Sequence, residues 1–477
     1  MTSRDALPEA VSPPSSPLSS PPSAGSPTTR RPARRRARAV AVGAGLLGLV
    51  GGLLGATAAP ATAQNPVTPG NLTGYGFDQC EAPSQAAMTR WMETSPFLAA
   101  GIYISGASRG CREQRNLTPE WVRTQLAQGW RLLPISLGPQ ASCSPHFPRY
   151  GNDPTINATP GGNGRYTAAR AQGRLEAQRS VDAAKRLGIA PRSVLWYDLE
   201  AFDVRNTTCR ESALSFVSAW NLKVRQLGYT TGLYSSAGGG LNAFDDARVN
   251  RPNAFVQPQY IWLARWDGVA NTSTSYLRED GWRPNRRVKQ YRGGHLETHG
   301  GVTINIDSNW LEVGQGSRPR QSKPACGSVR VDLRSYVALK GGDTGAQVKA
   351  LQCFLQMKGF YRGAPDGRYD KTTGNAVAAY RRDRGMTAAR TWDVPAWIRL
   401  HAEGTQPVLK LGSTGWEVRR LQRALNAAGV SRMAADSHFD RETENAVKAW
   451  QKRVKQAQTG IVAPQSWRAL GFGRGGR

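Results

Sequence analysis

The chain has 477 residues, 39% of them hydrophobic and 20% charged, with 63 Lys and Arg against 34 Asp and Glu and a formal charge of +29. That length exceeds one hydrophobic core and divides into about two to four domains, and a composition that is globular beyond the first stretch excludes a wholly disordered or fibrous chain. The charge calls for a polyanionic neighbour; no nucleic-acid-reading module is recognisable, so anionic wall polymers or lipid surfaces are the expected class and nucleic acid is not.

Residues 1–38 carry Pro, Ser and Ala runs and then an arginine cluster from Arg30 to Arg38; 21 uncharged residues follow, Ala39 to Ala59. With the small-residue pattern Ala61-Thr62-Ala63, this reads as an export signal over 1–63 with a long basic start, cleaved before Gln64. Secretion to the cell wall is expected. A retained anchor is the alternative, because ~18 apolar residues can span a bilayer, and only then is a membrane a partner. The paired arginines are similar to a twin-arginine signal, although the usual Phe-Leu-Lys continuation is missing. The segment holds seven Arg against Asp5 and Glu9, so +24 of the +29 stays with residues 64–477.

Six cysteines follow, an even number suited to an oxidising compartment, with no Cys-x-x-Cys pair. Locality favours Cys326 with Cys353 and leaves Cys80, Cys111, Cys143 and Cys209 within the larger half; Cys80–Cys111 and Cys143–Cys209 are the preferred pairs.

Between residues 64 and 313 eight short apolar or alternating runs predict strands near 75–78, 99–105, 131–137, 194–200, 231–235, 260–266, 287–291 and 302–307. Helical spacing over 83–93, 119–128, 166–187 and 211–227 separates the early ones. Strand and helix in alternation predict an α/β fold, a (β/α)8 TIM-like barrel over 64–313, with an open doubly wound sheet as the alternative. In such a barrel the C-terminal strand ends line the mouth. Asp78 closes the first strand, Asp198 and Glu200 the fourth, and Asp307 the eighth. The period of a strand sets Trp196, Asp198 and Glu200 on one face, where neighbouring carboxylates repel and one keeps its proton. Gln290, Tyr291 and the indoles of Trp196, Trp262, Trp266 and Trp310 complete a mouth of acids and ring platforms suited to sugars.

The pieces GFD, YDLE, IWLARW, KQY and IDSNW, in that order, resemble the family 25 muramidases among glycoside hydrolases and, more closely, the secreted glycoside-hydrolase-like barrels related to them. The resemblance implies that Glu200 is the proton donor, that Asp198 orients and tunes it, and that Asp78 and Asp307 stabilise charge in the sugar cleft. The family's Asp-x-Ser opening is replaced here by Asp78-Gln79-Cys80, which leaves binding without turnover as the alternative.

Residues 314–325 are polar and basic and read as a linker. Beyond it the chain repeats at an offset of 70: Leu339-Lys340 with Leu409-Lys410, Leu351-Gln352 with Leu421-Gln422, Asp370 with Asp440 and Trp397 with Trp467. Each copy, 326–404 and 405–477, has the spacing of a small all-α unit of three helices. The pattern of Leu, Gly-Asp-x-Gly, Val-x-x-Leu-Gln and Asp-Gly-x-Tyr resembles the three-helix peptidoglycan-binding module, which implies peptidoglycan or another wall polysaccharide as partner. The second copy departs at Ser413 and Ser437, where the family has Asp and Gly. His295 and His299 flank Glu297 among glycines that argue against a helix, so a metal-dependent amidase or peptidase is only a third reading and no metal or cofactor is expected.

Overall fold

The computed structural model describes residues 64–149, 152–318 and 326–476. The expected export segment and part of the linker lie outside the described residues, among which no helix is long and apolar enough to cross a membrane.

Eight strands close into a barrel in chain order: β1 (Leu72–Asp78), β2 (Ala99–Ser105), β3 (Arg131–Ser136), β4 (Val194–Asp198), β5 (Thr230–Ser236), β6 (Tyr260–Ala264), β7 (Arg286–His299) and β8 (Val302–Val313). Five helices pack outside: α1 (Gln85–Thr94), α2 (Pro119–Gln128), α3 (Thr167–Arg186), α4 (Thr207–Gln226) and α5 (Gly240–Asn250). Side-chain caps fix several starts; Ser84 accepts from the Ala87 amide and Thr118 from the Trp121 amide. Period 2 sorts the strand side chains. Tyr197 points outward onto Phe216 and Trp220 of α4, and Phe77 onto Trp91, Phe97 and Trp130, while Trp196 and Trp262 meet inside the barrel.

The closed barrel overturns the open-sheet alternative, and it also departs from a regular (β/α)8. Strands β1 to β7 pair in parallel, but β8 runs antiparallel to both β7 and β1. A parallel crossover needs a dozen or more residues, whereas only Gly300 and Gly301, both at positive φ, join β7 to β8, so the two form a long hairpin. Among the described residues no helix stands between β6 and β7.

The C-terminal part has six helices: α6 (Ala346–Met357), α7 (Lys371–Asp383), α8 (Val394–Ala402), α9 (Trp416–Ala427), α10 (Arg441–Arg453) and α11 (Pro464–Gly471). The offset of 70 persists in the bonding. Gln352 Nε2 donates to Asp366 Oδ1 at 2.8 Å and to the Arg368 carbonyl at 3.0 Å; Gln422 does the same to Asp436 and His438 at 2.8 and 3.0 Å. The two copies share one apolar core, and Asp332 of the first pairs with Arg419 and Arg423 of the second. They form a single helical body. The disulfides join Cys80 to Cys111, Cys143 to Cys209 and Cys326 to Cys353, the pairing expected from the sequence.

Candidate active site

The four acids meet at one end of the barrel interior. Asp78 ends β1 and stands opposite Asp307 of β8 in the register. Because β8 is antiparallel, Asp307 reaches the mouth from the middle of its strand and not by closing it. Gly101 of β2 makes room for Asp78, since a Cβ there would lie 2.5 Å from the Asp78 Cβ. Asp198 ends β4, and the turn after it is clamped by Gln140, whose Nε2 donates to the Asp198 carbonyl at 2.7 Å while its Oε1 accepts from the Glu200 amide at 2.8 Å.

Gln290 is the hub of the mouth. Its Nε2 donates to Asp307 Oδ2 at 3.1 Å and to Asp78 Oδ1 at 3.3 Å, and its Oε1 accepts from Tyr234 Oη at 3.0 Å and Trp266 Nε1 at 2.9 Å. Asn309 Nδ2 donates to Asp78 Oδ1 at 2.6 Å, and its Oδ1 accepts from Trp262 Nε1 at 2.8 Å. The Tyr103 hydroxyl reaches Asp198 Oδ2 at 3.4 Å. Asp198 Oδ1 is buried with no hydrogen-bond partner among the described residues.

Burial pushes every carboxyl of the cluster up, because a charge leaving water loses its hydration. Asp78 rises to about 6, held back by the Asn309 and Gln290 donors. Asp307 rises to about 8, with repulsion from Asp78 adding to burial. Asp198 is raised well above the ordinary range by burial and by Glu200 and Asp78. Glu200 is raised by burial and opposed by the charges of Arg149 and His146. At neutral pH Asp307 therefore keeps its proton while Asp78 has given up most of its own.

Four of the expected substrate contacts are corrected. Trp196 and Trp262 are fully buried; their rings meet at 5.5 Å in the layer below the acids and show no face to a sugar. Trp310 alternates with the inward Asn309, so it lies on the outer wall against Tyr75 at 4.9 Å. Tyr291 sits at a break in the β7–β8 register, on the Ser308 and Tyr75 side. Gln290 is at the mouth, but its amide is spent on the acids and rings. Trp266 is 41% exposed and stands at the mouth through its bond to Gln290. Tyr103, Tyr234, Gln140, Asn309 and Arg149 were not singled out from the sequence. Tyr103 and Tyr234 lie near the ends of their strands and Asn309 shares the parity of Asp307, so the rule that located the acids could have found them.

His295, Glu297 and His299 alternate along β7, which sets them on one face without a helix; Glu297 bonds to both imidazoles, at 3.0 and 2.9 Å. Among the described residues no three such groups are arranged to hold a metal ion.

Residues 89–311 match the Rv2525c-like, glycoside hydrolase-like domain family, and residues 344–388 and 414–470 match the peptidoglycan binding domain family PG_binding_1. A 71-residue stretch is 41% identical to N-acetylmuramoyl-L-alanine amidase CwlL of Bacillus licheniformis, covering 14% of this chain and 20% of that protein; the chain thus spans a fifth of the curated relative it matches. Among solved structures, the Tat-secreted protein Rv2525c of Mycobacterium tuberculosis in complex with L-tartrate is 14% identical, with a TM-score of 0.33 over 51% of this chain and 98% of that one. An uncharacterized B. stearothermophilus protein is 19% identical, with a TM-score of 0.32 over 50% and 95%. The chain therefore joins an Rv2525c-like, glycoside hydrolase-like domain to a repeated peptidoglycan binding domain.

Proposed function

We propose that the protein is a secreted, cell-wall-associated glycoside hydrolase whose barrel cleaves peptidoglycan or a related wall glycan. The observation that carries the reading is the set of four carboxyls at one barrel mouth with unequal environments. Asp78, bonded by two amide donors, is the carboxylate that stabilises an oxocarbenium-like transition state. Glu200, raised by burial and partly exposed, is the acid that protonates the leaving oxygen, and Asp198 and Asp307, whose own carboxyls its charge pushes up, share the cluster with it. The helical repeats hold the enzyme on its polymer and raise the local substrate concentration, and the three disulfides suit an oxidising compartment outside the cytoplasm.

The test is release of reducing ends from purified wall by the wild type and by Glu200→Gln, with a loss of about 10²- to 10⁴-fold expected in the variant. A second reading, a glycan-binding protein without turnover, is favoured by Gln79-Cys80 after Asp78, where Cys80 is locked to Cys111. In that case the wild type releases nothing and Glu200→Gln leaves glycan affinity unchanged.

A further inference from the structure

The two repeats are alike in fold and unlike in what covers them. In the first, Lys340, Gly341 and Gly342 are exposed, and Asp343 Oδ2 accepts from the Lys340 amide at 2.8 Å. In the second, the equivalent loop is buried against the base of the barrel. Lys410 is 1% exposed; its Nζ donates to the carbonyls of Ser95 at 2.8 Å and Phe97 at 3.1 Å and stands 5.7 Å from the Trp130 ring. These residues enter β2 and β3, at the end of the barrel opposite the acids.

The sequence differences between the repeats follow that burial. Leu411 stands where the first repeat has Gly341, and its carbonyl lies so close that a Cβ on Gly74 of β1 would come within 3.2 Å. Gly412, a glycine in both repeats, is at φ +93, and a Cβ there would lie 2.8 Å from the Thr73 carbonyl, whereas one on Gly342 would meet nothing within 4 Å. Ser413 replaces Asp343: its Oγ accepts from the Lys410 amide at 3.1 Å, the same turn bond without a charge that burial would penalise. Arg441, equivalent to the exposed Lys371, donates to Tyr75 Oη at 2.7 Å and lies over that ring at 5.4 Å. Val408 packs on the barrel core. A buried ammonium is tolerated only when it is hydrogen-bonded, so the contact is built and not incidental.

We propose that the second repeat is a docking element that fastens the helical body to the base of the barrel, and that the first repeat alone presents this surface to the wall polymer. The open face carries Lys340, Lys349 and Arg368, which suit the carboxylate groups of peptidoglycan stem peptides. The second half of the proposal rests on the wall-binding reading above; the first half does not.

The experiment uses the full chain. Small-angle scattering compares the wild type with Lys410→Glu and with Arg441→Glu, the latter at an exposed site where folding is not at risk. Sedimentation with wall stripped of anionic polymers compares these with Lys340→Glu/Arg368→Glu. Both docking variants are expected to expand and to keep sedimenting, while the first-repeat variant keeps its dimensions and binds about tenfold more weakly. Unchanged scattering in both docking variants overturns the docking. Expansion with lost sedimentation, or full binding by the first-repeat variant, overturns the assignment of wall binding to the first repeat. A wild type that does not sediment overturns the wall-binding reading and that assignment with it, and scattering alone then decides the docking.

Discussion

Asn309 is the residue whose removal reports most cleanly on the mouth. Its 2.6 Å bond to Asp78 favours the ionised carboxyl, so Asn309→Leu is expected to move the acid limb of the hydrolysis profile to higher pH, read from the dependence of kcat/KM. Asp307 makes a stability statement. Its carboxyl holds a proton up to about pH 8 in the folded barrel, against an ordinary 3.8. The folded state therefore binds more protons between those values, and its stability is greatest below the lower one and lost as pH rises through the upper. Subtracting the melting profile of Asp307→Asn from that of the wild type between pH 4 and 9 isolates this: the difference should fall with pH, and a flat difference contradicts the burial argument. Asp78 and Asp198 were legible in the sequence because parity and strand ends give direction, whereas Asp307 lies mid-strand and Glu200 in the turn beyond β4. The mistake at Trp196 and Trp262 has a physical origin, since parity tells inside from outside but not depth, and a small barrel fills the layer beneath its mouth with side chains.

At the scale of elements, β4 and β5 are held in place by a missing side chain. A Cβ on Gly232 would lie 2.3 Å from Trp196 Cε3, and that indole is enclosed by Trp262 and Tyr260. Gly232→Ala is expected to cost about 1–3 kcal/mol in urea unfolding by overpacking, and unchanged stability would show that the inner layer is looser than described. All eight strands were legible as apolar runs bounded by turns, and the four predicted helices stand within a few residues of their places. The hairpin of β7 and β8 was not, because residues 292–301 are polar and rich in Gly and His and lack the apolar alternation that marks a strand. Helix α5, Gly240–Asn250, begins among glycines and carries no side-chain cap, so its start had no signal.

At the scale of the whole molecule, the offset of 70 foretold two similar helical units but not that they share a core and seat on the barrel. A chain ending near Val313 loses the partner of Ser95, Phe97 and Tyr75 and is expected to melt lower than the full chain. The seat also depends on pH. Burial lowers the Lys410 ammonium from 10.5 to about 7, and among the described residues its neighbours are two carbonyls and an indole. Undocked, the lysine stays protonated in that window, so docking should tighten as pH rises from about 7; scattering across pH 6–9 checks it, and Lys410→Met should remove the trend. The central claim, that the mouth of carboxyls breaks a glycosidic bond, is tested most directly by digesting purified wall in water enriched in oxygen-18 and locating the label in the soluble fragments by mass spectrometry. Label on a new reducing-end sugar, present with wild type and lost with Glu200→Gln, is the expected result; label on a stem-peptide carboxyl, or no labelled fragment, contradicts it.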